Sequence, residues 1–189
     1  MSNTRCPWLN LKNPNYVEYH DNDWGRPVFN DQKHFELITL EGAQAGLSWE
    51  TILKKRDHYR KVFNQFNIDD VARFSDKKLE NILLNPGIVR HRLKIFSVRN
   101  NAKCTITIQK EFGSFNKYIW GFTKNKVLYS DYQKLSDYPS FTPTSVTISK
   151  DLKKRGFKFV GETIIYAYMQ AAGICQDHAT GCYLYRKKF

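Results

Sequence analysis

Three sets of residues in this chain could do chemistry: a glutamate inside an apolar helical pattern, a group of indole and phenol rings, and two cysteine–histidine pairs near opposite ends. The glutamate is Glu41, in Glu41-Gly-Ala-Gln-Ala-Gly-Leu-Ser-Trp49. Phe35, Ile38 and Gly42 recur on one helical face, with Leu37, Leu40 and Gln44 on the adjoining one, so Glu41 lies beside a packed surface. Burial raises the energy of an ionised carboxylate unless a positive or donor-rich partner meets it. The periodicity alone leaves a solvated helix glutamate open as well. Gly42 and Gly46 favour a pocket, because each glycine costs a helix interior about 1 kcal/mol against alanine and so implies a close approach of backbone or ligand.

The rings Trp8, Tyr16, Tyr19, Trp24 and Trp49 accompany that carboxylate. Aromatic faces can hold a flat base while a carboxylate accepts from its exocyclic amine, and a positively charged base is attracted to both. For any single ring, core packing is the alternative. Cys6 with His20, and His178 with Cys182 four residues apart, together supply two thiolates and two imidazoles, a complete tetrahedral set for structural zinc. The separation of Cys6 from His20 is not a zinc-finger spacing, and buried cysteines with solvated histidines would give the same pattern. Zinc here would tie the two termini together and supply part of their folding free energy. Cys104 and Cys175 fall in apolar helical patterns and read as small core residues.

These groups need a scaffold and a surface. The chain has 189 residues, room for one domain with a substantial core, and carries 30 Lys and Arg against 18 Asp and Glu, a formal charge of +12. That excess points to a polyanionic partner, nucleic acid first, and an aromatic content of 15% suits exposed bases. No stretch approaches the roughly 20 apolar residues of a spanning helix, and the N-terminus lacks a signal-peptide core, so a cytoplasmic protein without membrane contact is expected.

Helical periods dominate throughout, and no sustained alternation, repeat or low-complexity tract interrupts them, so the expected class is all-α. The polar and aromatic segment from Arg5 to Gly25 reads as a ligand-facing arm. Asp31 can cap a helix running to about Gln44, and Ser48 can cap the next, making a hairpin around Gly46-Leu47-Ser48. Ser75 caps a helix that ends at Asn85-Pro86-Gly87, and the next carries Ile88, Ile95, Val98, Ala102 and Ile106 on one stripe. A short aromatic helix starts from Ser114, and Thr123 to Pro143 is polar and turn-rich with no chemistry of note. A helix from Ser145 ends in Lys153-Lys154-Arg155, with Gly156 placed to terminate it, and another runs from about Glu162 to Ala172. The link between them, Gly156-Phe-Lys-Phe-Val-Gly161, has the form of a helix-hairpin-helix, whose turn amides and following helix N-terminus can meet a phosphate, with Lys158 adding charge. An ordinary interhelical loop has the same outline. Asn85 to Arg92 is a second, weaker backbone contact of similar character.

Tyr19-His-Asp-Asn-Asp-Trp-Gly25, Leu40-Glu-Gly-Ala-Gln-Ala-Gly-Leu-Ser-Trp49, Leu53-Lys-Lys-Arg56, Gly87-Ile-Val-Arg-His-Arg92 and Lys153-Lys-Arg-Gly-Phe-Lys-Phe-Val-Gly161 closely resemble the 3-methyladenine DNA glycosylase I family. The resemblance extends from Cys6 to Cys182. It implies a helix-hairpin-helix glycosylase fold, as a single domain over residues 1–189 whose segments 1–25 and 174–189 are joined by one structural Zn²⁺ on Cys6, His20, His178 and Cys182. It implies a monofunctional enzyme that flips 3-methyladenine out of alkylated double-stranded DNA and hydrolyses its N-glycosidic bond, leaving an abasic site.

Within that resemblance Glu41 reads the flipped base and is the catalytic candidate, Tyr19 and Trp49 bond and stack on it, and Trp8, Tyr16 and Trp24 complete the pocket. Gln44 and Leu47 match the wedge that fills the vacated space, and Gly156, Lys158, Gly161 and Thr163 are the expected backbone contacts on DNA. The wider superfamily commonly has a catalytic aspartate after the hairpin. Asp177 is the nearest candidate here, but it directly precedes a presumed zinc ligand and is not assigned that role. A monomer is the simpler expectation. Two other readings are a zinc-stapled module that binds damage without cutting, and a metal-dependent nuclease with His20, Asp21 and Asp23 as ligands.

Overall fold

Capping residues and apolar stripes divide the chain into helices much as the periodicity predicts. The structure, a computed structural model, describes residues 4–188, so the ends of the expected domain at 1–3 and 189 lie outside the described residues. Its helices are α1 (Pro14–Asn22), α2 (Asp31–Gln44), α3 (Trp49–Val62), α4 (Ile68–Ala72), α5 (Asp76–Leu83), α6 (Arg92–Phe112), α7 (Phe115–Gly121), α8 (Pro143–Lys154) and α9 (Glu162–Ala171). One parallel bridge joins the two-residue strands β1 (Leu128–Tyr129) and β2 (Cys175–Gln176), pairing Leu128 with Cys175. Cys175 is therefore a buried strand residue and not part of a helix.

Helix α2 is the axis of the structure, packed against α3, α6, α7 and α9, and every residue from His34 to Ala43 is buried. A helix covered on all sides cannot keep a solvated face, which removes the option of a solvent-exposed Glu41. The N-cap of α2 is Asn30, whose side chain accepts from the Lys33 amide, and not Asp31. Asp31 is drawn off by a stronger demand, accepting from the Phe115 and Asn116 amides at 2.9 and 2.8 Å and from Gln109 Nε2 at 2.7 Å. One carboxylate so caps α7 and locks it to α2 and α6. Ser48 and Ser75 cap as expected.

Helix α6 starts at Arg92 and not directly after Gly87. His91 is its N-cap, and Ile88 is buried from the preceding loop rather than from the helix. Helix α8 starts at Pro143, with Thr142 as N-cap. Ser145 closes a reciprocal capping box, its Oγ accepting from the Thr142 amide and its amide donating to Thr142 Oγ1. Helices α8 and α9 then pack against each other across the turn 155–161. Among the described residues no helix is long and apolar enough to cross a membrane.

Candidate active site and metal centre

Glu41 sits near the C-terminal end of α2, 4% exposed, at the wall of a cavity of about 290 Å³. Trp8, Tyr16, Tyr19, Trp24, Gln44 and Trp49 share that cavity, so every ring the sequence placed around Glu41 converges on it. Among the described residues no hydrogen bond or ion pair reaches the Glu41 side chain, and burial pushes its carboxyl up from 4.5 to about 8. The positive or donor-rich partner that such a group demands is not supplied by any described residue. Tyr19 packs on Trp49 with ring centroids 5.2 Å apart and lies 6.4 Å from Tyr16, nearly parallel to it. Burial, with the nearby Glu41 charge, raises the Tyr19 hydroxyl well above its ordinary value and keeps it a donor.

The opposite wall has no counterpart among the expected site residues except Thr163. Leu135, Tyr138, Pro139 and Ser140 line the cavity from the polar segment between α7 and α8, and Thr163, Tyr166, Ala167 and Gln170 line it from α9. The spacing 163, 166, 167 and 170 is one helix face, and that was the available signal. Behind this wall Asp177 is buried, accepting from the Tyr166 hydroxyl and from Gln170 Nε2 at 2.9 Å. Asp177 thus lies beneath α9, bonded to two of the residues that line the cavity.

Gln44 lines the cavity and Leu47, 41% exposed, stands just outside it on the turn between α2 and α3. Lys94 supports that turn from below. Its ammonium, buried and depressed by that burial, donates to the carbonyls of Ala43 at 2.9 Å and Ala45 at 2.6 Å. Gly46 adopts φ +79°, which explains its identity through backbone conformation. At Gly42 the close approach is of protein and not ligand: a Cβ there would lie 3.2 Å from both Cβ and the carbonyl oxygen of Phe159. The approach at Gly42 is thus between α2 and the α8–α9 turn.

That turn is held rigid from α6. Asn101 accepts from the Lys158 amide and donates to the Lys158 carbonyl, each at 2.9 Å, while Asn100 donates to the Gly156 carbonyl at 2.8 Å. The Lys158 amide is consequently engaged inside the protein, but its side chain is exposed. Gly161 is the N-cap of α9 and brings no side-chain cap, leaving the first-turn amides around Glu162 and Thr163 without a capping acceptor. Thr163 belongs to this turn and to the cavity wall, so the two sites are contiguous.

Cys6, His20, His178 and Cys182 come together as well, all buried, with one ligand atom from each lying within 4.8 Å of the others. The Sγ–N separations are 3.5 Å for Cys6 to His178 Nδ1, 3.7 Å for Cys182 to the same nitrogen and 3.6 Å for Cys182 to His20 Nε2. A tetrahedral zinc with bonds of about 2.3 Å to sulfur and about 2.05 Å to nitrogen separates those donors by about 3.6 Å, so the donor set fits. His20 is oriented by Asp21, 2.8 Å from its Nδ1, which directs Nε2 toward Cys182. Burial opposes the charge on Asp21, yet hydrogen bonds from Arg5 and His20 outweigh it and hold its carboxyl at about 2. Asp23 pairs with Arg56 at 2.6 Å instead. His20 and Asp21 are paired with each other beside the cysteine–histidine cluster while Asp23 is held by Arg56, so among the described residues the three do not form the nuclease-type metal site.

The centre backs directly onto the cavity. Trp24 meets His178 edge-on at 4.8 Å and Trp8 lies 5.4 Å from His20, and both indoles are cavity-lining. The sequence model of the methyladenine glycosylase family matches residues 8–186. This chain belongs to that family. A DNA-3-methyladenine glycosylase of Haemophilus influenzae is 44% identical over 179 residues, 95% of this chain and 96% of that one. Among solved structures, a crystal structure of 3-methyladenine DNA glycosylase I superposes with a TM-score of 0.93 at 44% identity, covering 96% of this chain and 100% of the other. A variant of 3-methyladenine DNA glycosylase I in complex with 3-methyladenine superposes with the same TM-score at 34% identity, covering 98% and 99%. These methyladenine glycosylases have the mainly helical fold seen here, with the Glu41 cavity inside the matched residues.

Proposed function

We propose that this protein is a monofunctional DNA glycosylase that removes 3-methyladenine from alkylated duplex DNA. The observation that carries the reading is the buried, unpartnered Glu41 carboxyl in an aromatic cavity. A purine methylated at N3 is positively charged while attached to the sugar, so it supplies the charge partner that Glu41 lacks. A normal, neutral adenine does not. Insertion of the cationic base favours the ionised carboxylate, with Tyr19 and Trp49 stacking and donating around it.

The chemistry asks little more of the chain. As the C1′–N9 bond breaks, its electron pair neutralises the charge on the purine, and the sugar passes through an oxocarbenium-like state captured by water, which gives up a proton. The base must first leave the stack. Gln44 and Leu47, held by the Lys94 clamp beneath their turn, fill the vacated space. The turn between α8 and α9 acts as a helix-hairpin-helix, with the uncapped amides at the start of α9 and the Lys158 ammonium meeting a backbone phosphate. Because Thr163 belongs to both that turn and the cavity wall, a phosphate held there brings its neighbouring nucleotide to the pocket.

Cys6, His20, His178 and Cys182 would hold one structural Zn²⁺, which supplies folding free energy by joining residues 1–25 to residues 174–189 in one domain. Its four protein ligands leave no open position for chemistry. The chain acts as a monomer on this reading. The test is release of free 3-methyladenine from methylated duplex DNA by zinc-loaded protein in a magnesium chelator too weak to strip zinc. Release above the spontaneous rate with the strand uncut supports the proposal, and binding without release leaves a damage-recognition module in its place.

A further inference from the structure

The side of the cavity formed by α9 carries a side-chain amide, that of Gln170. Gln170 lines the cavity, and its Nε2 donates to Asp177 Oδ2 at 2.9 Å. Asp177 is 1% exposed and its Oδ2 also accepts a hydrogen bond from the Tyr166 hydroxyl, while the Tyr132 hydroxyl lies 3.3 Å from that hydroxyl. An amide side chain can present either end, and a carboxylate that can only accept decides which one. With Nε2 committed to Asp177, Gln170 Oε1 has no partner among the described residues, and it is not among the sealed, unpaired polar atoms of the interior. Among the residues lining the cavity, Glu41 on α2 and Gln170 on α9 thus each carry an oxygen acceptor with no partner among the described residues.

We propose that Gln170 determines specificity, its Oε1 accepting a hydrogen from the exocyclic 6-amine of the bound base beside Glu41, and that Asp177 is the positioning residue that keeps this acceptor pointed inward. The inference rests on the cavity being the base pocket. An amine has two hydrogens, and two acceptors can use both. A base with a carbonyl at the same position, as in 3-methylguanine, places oxygen against oxygen and is rejected. Asp177 reaches the base only through Gln170 and Tyr166, which explains a buried carboxylate beneath a wall that has no cation.

The experiment measures binding of free 3-methyladenine, its N6-methyl and N6,N6-dimethyl derivatives and 3-methylguanine to zinc-loaded wild type and Gln170→Met, with zinc content and thermal stability checked for both. In the wild type each lost hydrogen is expected to weaken binding about tenfold, the scale of one hydrogen bond to a buried acceptor. Gln170→Met, of similar size with no oxygen, is expected to bind 3-methyladenine about tenfold more weakly, to show less than a twofold penalty for the first N6-methyl, and to narrow the gap to 3-methylguanine. An unchanged N6-methyl penalty in Gln170→Met overturns the proposal. So does a wild type that binds the dimethyl derivative as tightly as 3-methyladenine, a result that stands even if the variant fails to fold. Failure of wild type to release 3-methyladenine from DNA refutes instead the underlying function.

Discussion

Glu41→Gln should make the protein more stable as it makes it less active, and the size of the gain can be worked from the fold. The Glu41 carboxyl has an ordinary value of 4.5 and is held at about 8 by burial. The sign follows from proton binding: the folded state holds this proton more tightly than the unfolded state, so the fold bears no penalty below 4.5 and a growing one as pH rises toward 8. Each pH unit in that window costs about 1.4 kcal/mol, so the burden at pH 7 is up to about 3 kcal/mol. Glutamine has nearly the same shape and no charge to desolvate, so it escapes this penalty. Urea unfolding of wild type and variant, both zinc-loaded, should show closely similar stabilities at pH 5, with the variant gaining about 2 to 3 kcal/mol on going to pH 7.5. A difference that does not change between those pH values would show that Glu41 is not held buried without a partner, and its proposed role in reading a cationic base would fall.

Two further outcomes follow from the site's supports. Lys94→Met leaves the carbonyls of Ala43 and Ala45 unpaired, with an expected cost of about 1 to 3 kcal/mol in unfolding experiments; excision from duplex DNA should fall about tenfold or more while free 3-methyladenine binds as before, and equal losses in both would remove the link to the wedge turn. Cys182→Ser should bring zinc from about one per chain to well below that and lower the melting temperature by about 10 °C, several kcal/mol at about 3 °C each. Because Trp24 and Trp8 lean on His178 and His20, base binding should weaken too; metal-free protein with wild-type stability would dismiss the centre.

What could be read in the sequence divides along physical lines. Caps at Ser48 and Ser75 and the terminating Gly156 depend on a few neighbouring residues, and they appear where local reading puts them, whereas the expected stripe from Ile88 to Ile106 holds only at Ile95, Val98 and Ala102, since Ile88 precedes α6 and Ile106 is half-buried. Asp31 and Cys175 were misplaced because their partners are distant in the chain: the amides at the start of α7 for one, and Leu128 for the other. The same limit applied within the site. Glu41 and its rings fall in dense N-terminal motifs, whereas Asp177 reads its purpose only from Tyr166 and Gln170 on the preceding helix, and Leu135 to Ser140 reach the cavity through the fold of a long surface segment. Gly42 stands out in sequence as a close approach of backbone or ligand, and the approaching group is Phe159 of the turn between α8 and α9.

Whether the buried Glu41 carboxylate reads the cationic base is decided by the pH dependence of kcat/KM for 3-methyladenine release from duplex DNA, which reports ionisation in the free enzyme. A permanently cationic base requires Glu41 as carboxylate, and burial holds that group at about 8. Wild-type kcat/KM should rise about tenfold per pH unit from pH 6 to near 8 and then level, while Glu41→Gln should be slow and flat across the range. A wild-type profile that is level between pH 6 and 8, or a Glu41→Gln variant that follows the same slope, would contradict it.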